Sequence, residues 1–261
     1  GLTMTSEKKE VAVVVGGGPS ISASCGRLFT DAGMQVALAA RNPAKEAMKQ
    51  LEADFGVRLF KCDGSNADDV KNLFENVESE MGSPRLVVHN IDGRHKADGT
   101  LSEIIRKDLV DADPDMVFET IKNSAFSAFL VGQEAARKML NGSFANKPHK
   151  GTIIFTNATA AFRGNPQSGA FAIACHGKSG LAQSMARELM PQGIHIAHVP
   201  IDAAIGWKQK DGSRWHRLAG TTEDDNMADP DRIAETYLQL HRQHKSTWAY
   251  EVVLRPWVEN W

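Results

Sequence analysis

The chain has 261 residues, 42% of them hydrophobic and 7% aromatic, which is apolar material enough for one large core and suits a single α/β domain. Lys and Arg number 30 against 32 Asp and Glu, a formal charge of -2 that excludes the broad basic field needed for nucleic acid or an anionic membrane surface. The three cysteines, Cys25, Cys62 and Cys175, are too scattered for a disulfide framework or a zinc site, so no metal is expected and they read as free thiols of a cytoplasmic protein.

In chain order, short β-branched runs alternate with longer amphipathic stretches, the pattern of βαβ units on a parallel sheet. Strands are expected at 11–15, 36–40, 57–62, 86–89, 152–156, 194–199 and 250–254. Helices are expected at about 20–32, 43–54, 66–81, 114–141, 168–190 and 230–243, several opened by Pro or Asp. This predicts a Rossmann-type, doubly wound, seven-stranded parallel sheet in a three-layer αβα sandwich. Residues 1–9 read as a flexible N-terminus and 10–261 as one domain, with no signal segment at the start and no apolar run of about 20 residues for a membrane span. Two polar stretches, 92–113 after the fourth strand and 207–229 after the sixth, fall where open α/β sheets bind ligands. Residues 207–229, with Trp207, Trp215 and His216, are a candidate substrate lid or an ordinary surface loop.

The first strand runs into Gly16-Gly17-Gly18-Pro19-Ser20-Ile21-Ser22 and then a helix. Such a turn lets backbone N–H groups face a pyrophosphate at a positive helix end. The run resembles the T-G-x-x-x-G-[IL]-G motif of the short-chain dehydrogenases/reductases, with Val15 at the Thr, Gly16 at the first Gly, Ser20 at the second and Ser22 at the third. The enoyl-reductase branch of that superfamily also carries a Ser-Ile pair where the helix begins. The resemblance runs over about residues 10 to 255 and implies that Gly16, Gly18, Ser20 and Ile21 hold a dinucleotide. At the end of the second strand, Ala40 precedes Arg41, a cation for the 2′-phosphate of NADP where a carboxylate would select NAD, so NADP is expected over NAD. A solvated helix-start arginine is the plainer alternative. By the same resemblance Asp63 contacts the adenine, Asn90-Ile91-Asp92 replaces Asn-Ala-Gly after the fourth strand, and Ile201-Asp202 replaces the Pro-Gly beside the nicotinamide.

Asn123 matches the family's Asn whose helix opens to hold a relay water, although a structural hydrogen-bonding role fits it nearly as well. The segment 183–189 sets the register of the preceding helix, which puts the family's Tyr on Phe171, its Lys on Cys175 and its Ser on Ala158. Phe171 has no proton to give, Ala158 no hydroxyl and Cys175 no fixed positive charge, so the usual proton relay cannot run. Thr159, His176, Cys175, Lys178 and Asp202 are the neighbours that could substitute, each with a plainer structural role available. The resemblance implies an NADP-dependent oxidoreductase acting on a small molecule with a rewired proton donor, or a catalytically inactive scaffold that binds nucleotide or a partner. It also implies a homodimer or homotetramer built through the helices at about 114–141 and 168–190.

Overall fold

The computed structural model describes residues 9–91, 93–94, 106–142, 147–208, 211–216, 220–222 and 226–261, with backbone alone at 207–208, 214–216 and 220–222. Strands β1 (Val11–Val15), β2 (Gln35–Ala40), β3 (Arg58–Lys61), β4 (Pro84–His89), β5 (Gly151–Ala158) and β6 (Ile194–Ile201) form one sheet in the order β3-β2-β1-β4-β5-β6. Every pairing in it is parallel. The helices are α1 (Ile21–Asp31), α2 (Glu46–Phe55), α3 (Ala67–Glu80), α4 (Pro114–Ile121), α5 (Ser127–Asn141), α6 (Gly169–Leu189) and α7 (Pro230–Arg242).

The alternation of side chains along a strand explains the layers. Val11, Val13 and Val15 of β1 point into a core shared with α3, α5 and α6, whereas Ala12 and Val14 point into one shared with α1, α2 and α7. With both faces covered, β1 is buried at every position, which is why it reads as an unbroken apolar run. Helix starts follow their capping chemistry: Asn66, Asp113 and Asp229 each accept a backbone N–H of the first turn, the last two ahead of a proline. The chain fills the sheet outward from β1 to β3 and then crosses to β4, so the carboxyl ends of β1 and β4 flank a crevice, the usual ligand position in such folds.

The sheet has six strands, not the expected seven. Residues 250–254 do lie parallel to β6, but only through isolated bridges, His198 to Glu251 and Ile201 to Leu254. The cause is Pro200. Around it the backbone bonds are made: His198 N–H to Tyr250, Val252 N–H to His198, Leu254 N–H to Pro200 and Asp202 N–H to Leu254. The donor that should come next, at residue 200, does not exist in proline, and the ladder breaks there. Beyond β6 the lid candidate forms a small antiparallel sheet, β7 (Trp207–Lys208), β8 (Arg214–His216) and β9 (Gly220–Thr222). The side chains of Trp207, Trp215 and His216 lie outside the described ones. No helix among the described residues is long and apolar enough to cross a membrane.

Candidate active site

The glycine turn sits at the carboxyl end of β1, where Gly16 donates its N–H to Ala39 at 2.9 Å. Gly16 has φ of +125°, and a Cβ there would come within 2.3 Å of the Asn90 carbonyl oxygen. Two steric reasons therefore demand glycine. Gly18 has no atom within 4 Å of where its Cβ would be. Beside this open space α1 begins with no side-chain cap, and the Ser20 hydroxyl is buried without a partner. Uncapped first-turn N–H groups, an unused hydroxyl and empty space together match the chemistry of a phosphate group. The residues present therefore fit a dinucleotide.

Across the crevice Asn90 donates its N–H to Val15 at 2.8 Å and its side-chain amide to Ser22 Oγ at 2.9 Å, binding the β4 exit to the turn. Ile21 is buried at the start of α1, and Ile91 packs half-buried against the core. Asp92 lies outside the described residues. Arg41, at the end of β2, pairs with Asp63 at 3.5 Å and donates to Asn123 Oδ1 at 2.7 Å. Burial pushes the Asp63 carboxyl up, but hydrogen bonds from Ser65 and the Arg41 charge outweigh it and hold it below the usual range.

Asn123 lies in a π-helical turn, Lys122–Phe126, that joins α4 to α5 and widens the helix at that point. The expected single helix over 114–141 is thus interrupted at the residue singled out in it. Ala158 ends β5, and Thr159 opens the short 3₁₀ turn Thr159–Ala161. Phe171 and Cys175 share one face of α6 and pack with Ala158, Ala160 and Ala161 in a small apolar cluster. Ala158, Phe171 and Cys175, where the sequence resemblance expects Ser, Tyr and Lys, thus sit together in an apolar patch.

The substitutes considered from sequence separate in space. His176 faces solvent, its Nδ1 2.8 Å from the Ala172 carbonyl. Lys178 is buried and donates from Nζ to the Ile91 carbonyl at 2.7 Å and the Thr156 carbonyl at 3.2 Å, so its amine ties β4, β5 and α6 together. Asp202, buried at the end of β6, pairs with Arg255 at 3.2 Å and Arg163 at 4.0 Å. Its carboxylate is thus engaged by two guanidinium groups. Behind Cys175 runs a chain not anticipated from sequence: Asn157 Nδ2 donates to the Cys175 carbonyl and lies 2.8 Å from His198 Nε2, and His198 Nδ1 lies 3.0 Å from Glu251. Burial keeps His198 below its usual range despite that carboxylate.

A cavity of about 350 Å³ opens against the patch, floored by Ala158, Thr159, Phe171, Ile201 and Asp202. Arg94 and Arg106 also line it, and the Arg94 guanidinium carbon sits 4.1 Å from the centroid of the Phe171 ring. Sequence reasoning missed both arginines. Their only signal was their position in the polar stretch after β4.

A family model described as Enoyl-(Acyl carrier protein) reductase matches residues 16–251. The chain belongs to the short-chain dehydrogenase/reductase family. Among curated relatives it is similar to (21S)-21-acetoxyl-apo-melianone synthase SDR of Melia azedarach, 26% identical over 201 residues that cover 76% of this chain and 68% of that one. Among solved structures, a short-chain dehydrogenase from Rhodopseudomonas palustris is 27% identical with a TM-score of 0.71, covering 95% of this chain and 99% of that one. A metagenomic short-chain oxidoreductase solved in complex with NADP superposes with a TM-score of 0.74 at 22% identity, covering 97% and 99%, and that likeness speaks for the fold alone.

Proposed function

We propose that the protein is an NADP-dependent oxidoreductase of this family that transfers hydride without a tyrosine proton donor. The observation that carries this reading is the open space at Gly18 in front of an α1 start that has no side-chain cap, beside the buried and unpartnered Ser20 hydroxyl. Arg41, with no carboxylate at the neighbouring Ala40, supports NADP over NAD.

When bound, the dinucleotide supplies the hydride, which is the cofactor's own chemistry. The chain's part is to bind and orient. Gly16, Gly18, Ser20 and Ile21 hold the pyrophosphate, Arg41 and Asp63 the adenosine end, and Asn90, Ile91 and Ile201 the crevice between β4 and β6. Of the residues around the vacant Ser position, Thr159 brings a hydroxyl to the cavity, where it can donate to a substrate oxygen. The lid reading of 207–229 is supported by its attachment: Ala203 and Ala204 line the cavity, and the adjoining Ile205 forms a bridge with Ala228.

A second reading, a nucleotide- or partner-binding scaffold without turnover, is favoured by one observation. The Lys178 amine is committed to two backbone carbonyls, which leaves the Phe171 patch without an acid. Incubation of the protein with NADPH and a panel of ketones, aldehydes and enones, followed by nicotinamide absorbance, separates the two. Substrate-dependent oxidation supports the first; bound NADPH that no substrate consumes supports the second.

A homo-oligomer built on α4, α5 and α6 belongs to the same proposal. Phe118, Phe129 and Ile173 are exposed on these helices and Phe126 on the π-helical turn between α4 and α5, where it stacks on Phe129 at 6.2 Å. Three buried cysteines, among the described residues all reduced, accord with a cytoplasmic location.

A further inference from the structure

By resemblance Asn123 belongs to a proton relay, yet its side chain is engaged elsewhere. Thr120, one turn earlier, lines the cavity against Phe171, and Asn123 does not. Asn123 Oδ1 instead accepts a hydrogen bond at 2.7 Å from Nη2 of Arg41, 82 residues away in sequence and just past the end of β2. The asparagine is buried, a buried amide oxygen needs a donor, and Arg41 supplies it. The π-helical turn Lys122–Phe126 widens the helix at this residue, a local irregularity that recurs at functional sites.

Arg41 is thus held at two points. Its Nε faces Asp63 Oδ1 at 3.5 Å, and that oxygen is itself fixed by the Ser65 N–H at 3.0 Å and the Ser65 hydroxyl at 2.7 Å. Nε and Nη2 share one edge of the guanidinium plane, so both anchors take the same edge. Among the described residues Nη1 has no hydrogen-bond partner, and the side chain is 31% exposed, so a ligand can reach it. The outer fork, Nη1 with the second Nη2 hydrogen, fits phosphate oxygens two at a time. A long side chain held in place beforehand loses less rotamer freedom when its ligand arrives. The chemistry of the anchor matters as well. A carboxamide oxygen holds the guanidinium without cancelling its charge, whereas a carboxylate at the same position would do both.

We propose that Asn123 is a positioning residue for coenzyme choice: by holding Arg41 Nη2 it keeps the guanidinium ready for the 2′-phosphate of NADP. The inference rests on the reading of the chain as an NADP binder, and it adds a residue to that reading.

NADPH and NADH are titrated calorimetrically into the wild type, Asn123→Ala, Asn123→Asp, Arg41→Ala and the double variant of Arg41→Ala with Asn123→Ala, with thermal melting recorded. Asn123→Ala should weaken NADPH severalfold and leave NADH nearly unchanged, a split that general damage to the fold would not give. Asn123→Asp keeps the size of the side chain and adds a charge. It should lose more of the preference than the alanine does, because the carboxylate neutralises Arg41 and repels the phosphate. In the Arg41→Ala background, Asn123→Ala should change the ratio of NADPH to NADH affinity no further, since the two residues act as one unit. The aspartate variant decides the matter where Asn123→Ala melts early. A preference that Arg41→Ala abolishes but both Asn123 variants leave intact overturns the positioning role and keeps the coenzyme reading. Equal weakening of both coenzymes by Asn123→Ala overturns it as well, and so does tighter NADPH binding, which would make the contact a competitor of the phosphate. A wild type that binds the two coenzymes equally, or neither, overturns the coenzyme reading and this role with it.

Discussion

Gly16 is the residue on which the shape of the coenzyme cradle turns. A methyl group there would meet the Asn90 carbonyl at 2.3 Å, and φ of +125° is strained for any side chain. Gly16→Ala should therefore cost about 2 kcal/mol or more, read as a lower urea midpoint at unchanged slope, and should weaken dinucleotide binding as the turn shifts off Asn90. Unchanged stability would mean that the turn relaxes without penalty. Residues such as this one were legible because a strand-to-helix glycine turn carries its reason in its residue types. Phe171 and Cys175 were countable for a similar reason, since α6 is one unbroken helix and its register extends back from Gln183, while Ala158, at the end of β5, followed from its spacing of 13 residues to Phe171. Arg94, Arg106 and the ion-paired state of Asp202 were not legible. They depend on side chains that meet across 53 residues of sequence in the Asp202 to Arg255 pair, and on a loop with no periodicity to place it.

At the scale of elements, the alternation of apolar runs and amphipathic helices sufficed to place β1 to β6 in a parallel sheet, because a strand buried on both faces and a helix buried on one leave different patterns. It failed at residues 250–254, where the composition is strand-like but the partner cannot complete the ladder. Pro200→Val supplies the missing donor toward Val252. The new amide at position 200 should then be protected from hydrogen exchange to the level of its β6 neighbours; rapid exchange there would show that the gap has another cause. The buried amine of α6 is a second such joint. Lys178→Met keeps the length of the side chain and removes two charge-assisted hydrogen bonds, which should loosen the β4 exit at Ile91. Weaker NADPH binding with little loss of secondary structure is expected, measured by titration and far-ultraviolet circular dichroism. Undiminished affinity would make the lysine dispensable to the crevice.

For the whole molecule, acid should be the sensitive direction. His149 is held down near a pKa of about 4 by burial, and burial also lowers His89, His195 and His198. A base depressed in the folded state takes its proton more readily in the unfolded chain, so its contribution is full above 6.5 and is lost as pH falls toward 4. Glu10, lowered to about 2 chiefly by its hydrogen bond with His241, adds a second loss between 4.5 and 2. Urea midpoints should fall steadily below pH 6.5, and His149→Gln should flatten the upper part of that fall; a flat profile from 6.5 to 4 would contradict the burial of these rings. Association belongs to this scale too. Sedimentation should find a dimer or larger for the wild type, and Phe118→Asp should shift it toward monomer if the exposed face of α4 to α6 is the contact. A monomeric wild type would leave that apolar face unexplained.

The proposed function requires a glycine turn able to hold a dinucleotide beside Ala158, Phe171 and Cys175. Calorimetric titration of NADPH and NADH into the wild type tests this most directly. Binding of NADPH about tenfold or more tighter than NADH is the predicted result, with Arg41→Ala removing the difference. Binding of neither coenzyme would contradict it, because the space at Gly18 and the unused Ser20 hydroxyl would then serve no phosphate.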